Sequence, residues 1–368
     1  MREVAAIKQN KQIFSIISVL IFAFWLMAFS LFSPGETAAS AGAALSLCAR
    51  SVIPSLAVFV ICAKILIKTG FCEKLARTPM ARLCPLLGMS CGGFVAFLIG
   101  LVSGFPMGAV ALSELVLRGD ITKEEAESLM PFCNNAGPAF VVGTVGASFF
   151  GSAGFGAVLF AAQTAAAITA VLLTAKKRRG MLLSEKSERS REAAKEKLSA
   201  ARVVSSSVSE GAAALLSVCG FVVFFCVLSD SLLALFSALK WNIGELGGAL
   251  LRGFFEISGG FAALGGVHDV SAPVMLALSG AMLGFGGISV YMQAADRAGA
   301  ASLSMARYLS GKLLCALFCA AYTIVFSAFM GRVAAAVAIG AAAFAVLLGA
   351  AVMGFVKNQG FFKKGVEK

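Results

Sequence analysis

Long apolar segments alternate with short polar loops along almost the whole chain. Most of these segments approach or exceed the roughly 20 residues that a helix needs to cross a bilayer. This pattern predicts an all-α, polytopic membrane protein. The first segment is longer than the apolar core of a signal peptide, so we expect a retained helix. The segments lie at 12–32, 51–69, 86–117, 128–149, 153–175, 206–236, 247–266, 272–295, 308–330 and 333–356.

The segments on either side of a polar stretch near 176–205 follow the same order. Each half has a plain apolar segment, a glycine-broken segment, an interrupted helix and a second plain helix. If each glycine-broken segment is a re-entrant hairpin, each half makes three crossings, and the second half starts on the opposite side of the membrane. The pattern therefore predicts about eight crossings plus two re-entrant hairpins in an inverted repeat. The alternative for 86–117 is two full crossings.

This organisation divides the chain into five parts. They are an N-terminal membrane helix (1–35), a first repeat (36–175), a basic cytoplasmic linker (176–205), a second, inverted repeat (206–330), and a C-terminal membrane helix and tail (331–368). In this topology both termini are cytoplasmic. Cytoplasmic loops carry an excess of lysine and arginine, and 27 of the 31 basic residues lie on that side. The exceptions are Arg50, Lys240, Arg252 and Arg332.

Composition narrows the classes of function. The chain is 59% hydrophobic and 14% charged, which does not suit a soluble domain. Its net charge is +12, and the basic residues lie between the apolar segments, where lysine and arginine set the membrane topology. We therefore expect no nucleic-acid partner. The chain has a single histidine and no CxxC pair, so we expect no metal site. It also lacks phosphate-binding loops and hydrolase motifs, so we expect no cofactor and no enzymatic activity. The expected partners are a small solute and the lipid bilayer.

Two interruptions in the first half carry polar chemistry. Residues 103–106 fit a hairpin tip, where proline begins a new helix whose free N–H groups favour an anion. Residues 134–138 predict a helix break whose amides and carbonyls can bind a substrate or a cation. The alternatives are a GxxxG packing seam at the tip and a structural kink at the break. The candidate substrate-binding residues are Ser103, Gly104, Pro106, Asn134, Asn135, Gly137 and Pro138.

The second half has matching interruptions. Glu256 is an ionisable residue in an apolar segment, which makes it a functional hypothesis by default. It can carry a coupling proton, ligate Na⁺ or accept a hydrogen bond from a substrate. The alternatives are pairing with Arg252 or a shallow, hydrated position. The glycines at 284–287 predict a second break or a close packing contact. The candidates are Glu256, Ser258, Gly286, Gly287, Ser289 and Gln293, the last two sharing a helix face.

Other charged residues have simpler explanations. Glu114 is expected to pair with Arg118 at i+4. Asp230 and Asp269 lie near outer helix ends, where we expect both carboxylates to be solvated. His268 reads as an ordinary loop residue.

Several motifs resemble the YlbJ family of sporulation integral membrane proteins. They occur in the family's order, and the resemblance extends over most of residues 40–330. The motifs are Ser103-Gly-Phe-Pro-Met-Gly-Ala109, Ile121-Thr-Lys-Glu-Glu-Ala-Glu127, Phe132-Cys-Asn-Asn-Ala-Gly-Pro-Ala-Phe-Val-Val-Gly-Thr-Val-Gly146, Gly253-Phe-Phe-Glu-Ile-Ser-Gly259 and Phe285-Gly-Gly-Ile-Ser289.

The resemblance implies membership of the broader nucleoside-recognition, or Gate domain, group, which includes spore maturation proteins and the membrane part of ferrous-iron transporters. It also implies a role in endospore formation. The cargo would be dipicolinate (pyridine-2,6-dicarboxylate), moved across the outer forespore membrane. One position departs from the family, in which a basic residue often follows the Gly-Ala of the first hairpin; here it is Val110. If that cation helps to capture an anion, another residue must replace it.

Two functions follow as hypotheses. The interrupted, repeated segments predict a secondary transporter or facilitator of a small, anionic solute, in which two bundles rock around a midplane site. The alternative is a structural or assembly subunit of a spore-membrane complex, with the breaks as packing kinks. The coupling ion (H⁺ or Na⁺), the direction of transport, homo-oligomer formation and spore-membrane partners remain open.

Overall fold

The computed structural model describes residues 2–70, 83–184, 199–333, 335–337 and 339–340. These residues form helices joined by short turns, with no strand among them. Five of the described helical runs are long and apolar enough to cross a membrane. The prediction of an all-α, polytopic membrane protein is confirmed, whereas the count of eight crossings stays a prediction. The five runs are Pro34–Lys68, Ala153–Lys176, Ala200–Ala238, Ala272–Ala300 and Tyr308–Ser327.

The helices of the first half are short around the predicted interruptions. The π-helical segment Cys48–Val52 joins the helices Pro34–Leu47 and Ile53–Lys68 without a break, and Ala139–Phe149 is itself a π-helix. In chain order the helices are α1 (Arg2–Phe32), α2 (Pro34–Leu47), α3 (Ile53–Lys68), α4 (Leu83–Leu86), α5 (Cys91–Ser103), α6 (Met107–Leu117), α7 (Lys123–Cys133), α8 (Ala139–Phe149) and α9 (Ala153–Ser184).

The second half repeats the alternation of long and interrupted helices. Its helices are α10 (Ala200–Ala238), α11 (Gly244–Phe255), α12 (Ile257–Leu264), α13 (Ala272–Phe285), α14 (Gly287–Ala300) and α15 (Tyr308–Ser327). Residues 185–198 of the predicted linker and 341–368 of the predicted last helix and tail lie outside the described residues.

Helices α5 and α6 form a hairpin. A Cβ built on Gly92 would lie 3.8 Å from Leu115 Cδ1, and one on Gly100 would lie 3.3 Å from Gly108 Cα, so the arms run side by side. With 13 and 11 residues, the arms are about 20 Å and 17 Å long. Both are shorter than the roughly 30 Å hydrocarbon core. These lengths favour a re-entrant hairpin over two full crossings.

Helices α11 and α12 form the corresponding hairpin of the second half. A Cβ built on Gly260 would lie 2.2 Å from Gly253 Cα, which brings the two helices into backbone contact. The turn between them is a single extended residue, Glu256 (φ −142°, ψ 118°). The helix is therefore interrupted at the acidic residue itself.

Ion pairs join α3, α6 and α10 at one end of the bundle. Lys64 Nζ lies 2.7 Å from Glu114 Oε1 and 3.2 Å from Glu210 Oε2, and Lys68 also pairs with Glu210. We call these four residues the ion-pair cluster. The expectation that Glu114 pairs with Arg118 is wrong, because Lys64 of α3 reaches the carboxylate from across the helix interface. The cluster links the two halves of the chain.

Arginines satisfy helix termini at the same end. Arg118 donates a 2.7 Å hydrogen bond to the Ile67 carbonyl at the end of α3. Arg178 of α9 donates to the carbonyls of Leu87, at 2.9 Å, and Gly88, at 3.1 Å, just before α5. The base of the α5–α6 hairpin is therefore at the ion-pair end.

A second set of polar contacts lies at the opposite end. Asp230 near the end of α10 accepts a 2.6 Å hydrogen bond from the Ser40 hydroxyl of α2 and a 2.8 Å bond from Arg252 Nε of α11. The expectation that Asp230 is simply solvated is wrong, because both carboxylate oxygens have protein partners. His268 and Asp269, in contrast, are exposed as expected.

The two hairpins open towards opposite ends of the bundle. Helix α10 has Glu210 of the ion-pair cluster near its start and ends at Ala238, and the base of α11–α12 follows that far end at Gly244. A Cβ on Gly265 after α12 would lie 2.6 Å from the Phe149 carbonyl oxygen. An inverted repeat requires such opposed hairpins. The symmetry of the two halves and the domain boundaries nevertheless stay predictions.

Candidate functional site

The tip of the first hairpin packs directly on the first helix break. A Cβ built on Gly100 would lie 1.6 Å from the Cys133 carbonyl oxygen, and one on Gly108 would lie 1.8 Å from it. A Cβ on Gly104, whose φ is +79°, would lie 2.8 Å from the Gly137 nitrogen. Only glycine leaves room for this approach. The glycine stripe therefore forms a packing seam, which was the alternative interpretation of the GxxxG pattern.

Each interruption has its proline at the N-cap of the new helix, one position before the first helical residue, where the sequence predicts it. Pro106 caps α6, which begins at Met107, and Pro138 caps α8, which begins at Ala139. Ser103 is the buried last residue of α5. The predicted change from one helix to the next is thus present at both places, but the prolines precede the new helices.

Gln163 of α9 holds the first break in place. Its Nε2 donates a 2.8 Å hydrogen bond to the Ala136 carbonyl, and its Oε1 accepts a 3.0 Å bond from the Ala136 N–H. Asn135 donates a 2.6 Å bond to the Phe132 carbonyl. These contacts satisfy backbone groups that the broken helix leaves without helical partners. The Asn135 amide is therefore used locally.

Asn134 connects the first break to α15 of the second half. Its Nδ2 donates a 2.8 Å hydrogen bond to the Tyr308 hydroxyl, and its carbonyl accepts a 2.8 Å bond from Lys312 Nζ. Its Oδ1 is buried and has no hydrogen-bond partner among the described residues. A buried polar atom without a partner is uncommon in folded proteins. The side chain thus offers an acceptor.

Lys312 is a buried lysine beside both helix breaks. The residue is 1% exposed, its Nζ lies 5.5 Å from the centre of the Phe105 ring, and a Cβ on Gly286 would lie 3.7 Å from its Cε. No ion pair of the described residues includes Lys312. A buried ammonium without a carboxylate is costly. An anion bound beside Lys312 would therefore favour its charged form.

Glu256 caps α12. Its Oε2 accepts a 2.7 Å hydrogen bond from the Gly259 N–H and lies 4.0 Å from the Cys226 sulfur. Neither alternative from the sequence applies, since Arg252 pairs with Asp230 and the Glu256 side chain is buried. A carboxylate at a helix N-terminus is stabilised by the free N–H groups and the helix dipole.

The second helix break lies against the second hairpin tip. Gly286 and Gly287 have φ values of +87° and +89°, and a Cβ on Gly287 would lie 3.3 Å from the Phe255 carbonyl oxygen. Beyond the break, Gln293 Nε2 donates a 3.1 Å bond to the Ser289 hydroxyl, so the two residues share a helix face as predicted. Gln293 Oε1 is buried without a partner among the described residues.

The interruptions of the two halves meet around one small cavity. The first tip and break contribute Phe105, Ala136 and Gly137, while the second tip and α14 contribute Glu256, Ser258 and Gln293. The cavity has a volume of about 30 Å³, which holds water but no organic solute. We call it the central cavity. In this conformation the meeting point of the halves is closed.

The structure separates the predicted site residues into two groups. Gly137, Glu256, Ser258 and Gln293 line the central cavity. A second group supports the interruptions without lining the cavity. Its members are Ser103, Gly104, Pro106, Asn134, Asn135, Pro138, Gly286, Gly287 and Ser289.

Sequence reasoning missed Gln163, Tyr308 and Lys312. Lys312 had a signal, because a lysine within the apolar segment 308–330 is an ionisable group at membrane depth. Gln163 is a weaker case of the same kind, as a polar amide within the apolar segment 153–175. Tyr308 had no local signal.

Comparison with known proteins gives one distant similarity. A segment of 141 residues is 33% identical to the sporulation integral membrane protein YlbJ of Bacillus subtilis (strain 168). That relative is an integral membrane protein of sporulation. The match covers 38% of this chain and 34% of the relative, so the chain spans about a third of the YlbJ length.

The similarity to YlbJ is shorter than the stretch 40–330 over which motifs resemble the family. No protein-family model matches the chain, and no solved structure matches it. The helical structure supports a multi-pass membrane protein, and YlbJ, to which part of the chain is similar, is likewise an integral membrane protein. Substrate and activity are matters for proposal.

Proposed function

We propose that this protein is a secondary transporter or facilitator of a small anionic solute. The observation that carries the proposal is Lys312, a buried lysine without a carboxylate partner among the described residues, placed where the breaks of both halves meet. An ionisable residue inside a membrane protein commonly marks a substrate or ion pathway. An anion would supply the missing counter-charge.

The substrate class fits polar groups in and near the central cavity: Gln293 lines it, whereas Lys312 and Asn134 lie outside its lining, with Lys312 next to the Phe105 ring. Lys312 would attract a carboxylate, while the unpartnered Oδ1 of Asn134 and Oε1 of Gln293 would accept hydrogen bonds from water or from a substrate donor. Dipicolinate, a small planar dicarboxylate, is our proposed substrate because the sequence resembles the YlbJ family. Lys312 would supply the cation that Val110 does not provide.

Transport would require the halves to separate. The central cavity, at about 30 Å³, is too small for a dicarboxylate, so binding there needs an opening motion. Interrupted helices in both halves are typical of transporters that rock around a midplane site. A coupling proton or Na⁺ at Glu256 belongs to the same proposal, since this buried carboxylate lines the cavity.

The test is uptake of radiolabelled dipicolinate into proteoliposomes that contain the purified full chain. We expect uptake above empty vesicles, at least a tenfold lower initial rate for Lys312→Gln, and a wild-type rate for the exposed control Lys123→Gln. Size-exclusion profiles would establish that each variant is folded. Uptake no greater than in empty vesicles, or a Lys312→Gln rate equal to wild type, would overturn the proposal.

The second candidate is a structural or assembly subunit of a spore-membrane complex. The close packing of Gly100 and Gly108 on the Cys133 carbonyl favours it, because this contact needs no ligand. In that case Asn134→Ala, Asn135→Ala and Glu256→Ala would leave the function intact in a sporulating host. Loss of function by folded variants would argue for the transport proposal.

A further inference from the structure

A second, larger cavity lies between the two halves near Asp230. Its volume is about 490 Å³, within the range of small-molecule sites. Helices α2, α10, α11 and α12 form its walls together with the π-helical segment Cys48–Val52. We call it the Arg50 cavity, and its polar lining includes Ser40, Arg50, Ser229, Asp230 and Arg252.

The charges of the Arg50 cavity do not balance. Arg252 Nε lies 2.8 Å from Asp230 Oδ1, and the other carboxylate oxygen accepts the Ser40 hydroxyl. No hydrogen bond or ion pair found within the described residues involves the Arg50 guanidinium, which is exposed to the cavity. The lining therefore contains two guanidinium groups and one carboxylate, which leaves one positive charge in the cavity.

The backbone around Arg50 has an unusual conformation. Residues Cys48–Val52 are wound as a π-helix between two α-helices, and the Ile53 N–H bonds the Cys48 carbonyl five residues earlier. Isolated π-helical turns within α-helices occur frequently at functional sites. Here the turn carries the one arginine of the cavity that lacks a carboxylate.

We propose that the Arg50 cavity is a binding site for an oxyanion, held by the guanidinium groups of Arg50 and Arg252. Guanidinium groups match carboxylate and phosphate geometry through paired N–H donors. The inference rests on the proposed function, because the expected free ligand is dipicolinate. It would bind in the Arg50 cavity first and reach the central cavity afterwards. The other source of this chemistry is the phosphate of a lipid headgroup.

Glu256 separates the Arg50 cavity from the central cavity. Gly259 and Cys226 line the Arg50 cavity, and both contact the Glu256 carboxylate, which lines the central cavity. An anion held by Arg50 would therefore stop next to a buried carboxylate. Passage from the Arg50 cavity into the central cavity would move the Glu256 carboxylate away from the Gly259 N–H.

The experiment measures equilibrium binding of radiolabelled dipicolinate to the purified full chain in a neutral detergent. We expect Arg50→Gln to weaken binding at least tenfold and Arg50→Lys to weaken it less, because lysine keeps the charge but loses the paired donors. Arg332→Gln is the matched control, an exposed arginine outside both cavities, and should bind like wild type. Wild-type affinity in Arg50→Gln would overturn the inference.

A second arm separates the two sources of the anion. The binding assay is repeated in nanodiscs of phosphatidylcholine, with and without phosphatidylglycerol. Unchanged affinity supports a free dicarboxylate as the ligand, and competition by phosphatidylglycerol that disappears in Arg50→Gln supports an oxyanion site filled by a lipid headgroup. Competition that persists in Arg50→Gln counts against the site.

The failure of this inference differs from the failure of the transport proposal. Arg50-dependent binding without dipicolinate flux in proteoliposomes would leave the binding site standing and refute transport. Flux that depends on Lys312, with no effect of Arg50→Gln on binding, would support transport and refute the binding site at Arg50.

Discussion

Lys312 of α15 donates a 2.8 Å hydrogen bond to the carbonyl of Asn134, the residue that ends α7 in the other half of the chain. The helix break frees this carbonyl, and the buried ammonium of the second half binds it. Helix termini leave such carbonyls without helical partners. The contact joins the first break to the second half of the chain at the point where an anion is proposed to bind.

Replacing Lys312 with methionine should separate stability from transport. Methionine has a similar length, but it removes the donor of the buried Asn134 carbonyl, which costs about 1–3 kcal/mol. We expect Lys312→Met to remain folded with a modestly lower Tm while dipicolinate uptake falls at least tenfold. Thermal unfolding of the purified variant, followed by intrinsic fluorescence, measures the first quantity. A lower Tm with full uptake would instead assign Lys312 a purely structural role.

The contact between the first hairpin and the first break predicts a sharp glycine requirement. A Cβ on Gly100 would lie 1.6 Å from the Cys133 carbonyl oxygen, so Gly100→Ala must displace backbone and should destabilise the protein by about 3 kcal/mol or more. Gly220→Ala is the control, because a Cβ there meets nothing within 4 Å. We expect it to preserve Tm or raise it slightly through better helix propensity. Equal Tm values for the two variants would contradict this packing.

Two substitutions at Glu256 should distinguish capping from proton transfer. Glu256→Gln keeps an oxygen that can accept from the Gly259 N–H, whereas Glu256→Ala removes the cap and should destabilise the protein by about 1 kcal/mol. If the carboxyl carries a coupling proton, Glu256→Gln will remain folded but lose the pH dependence of uptake. Uptake is measured at a series of external pH values. An unchanged pH profile would remove the proton-carrying role.

The ion-pair cluster predicts an asymmetry between its members. Lys64 is the salt-bridge partner of Glu114, while Glu210 also pairs with Lys68. Lys64→Met therefore leaves Glu114 without a cation in a partly buried position, and we expect a loss of about 1–3 kcal/mol. Glu114→Gln should cost less, because Lys64 keeps Glu210. Glu124→Gln, at an exposed position, is the control for Tm measurements; a larger loss for Glu114→Gln than for Lys64→Met would contradict the pairing.

The positions of the interruptions could be predicted because glycine, proline and asparagine act locally. Gly104 and Gly286 adopt positive φ angles that other residues rarely adopt, and this preference can be read without knowing the fold. Lys312 lies inside a regular helix and has no such local effect. Its importance comes from Asn134, which is 178 residues away. Tertiary packing alone brings the two together.

The wrong expectation for Glu114 has a similar cause. The i,i+4 rule describes isolated helices, in which Arg118 is the nearest cation. In the folded chain Lys64 approaches from α3 to 2.7 Å. Arg118 is instead used at the end of α3, where it bonds the Ile67 carbonyl. Contacts between helices therefore determine the partners of both Glu114 and Arg118.

The seating of the Cys133 carbonyl between Gly100 and Gly108 restricts how the molecule can deform. Backbone packed directly on backbone cannot slide without a clash, so the α5–α6 hairpin and the unwound segment 134–138 behind it must move as one rigid block. A hinge is easier to accommodate at softer contacts, such as that of the Phe105 ring with Gly286, where a side chain rather than backbone approaches the opposite half. A compound bound at the contact between Phe105 and Gly286 would block the motion, whereas a compound bound only to the rigid block would move with it and leave the motion unaffected.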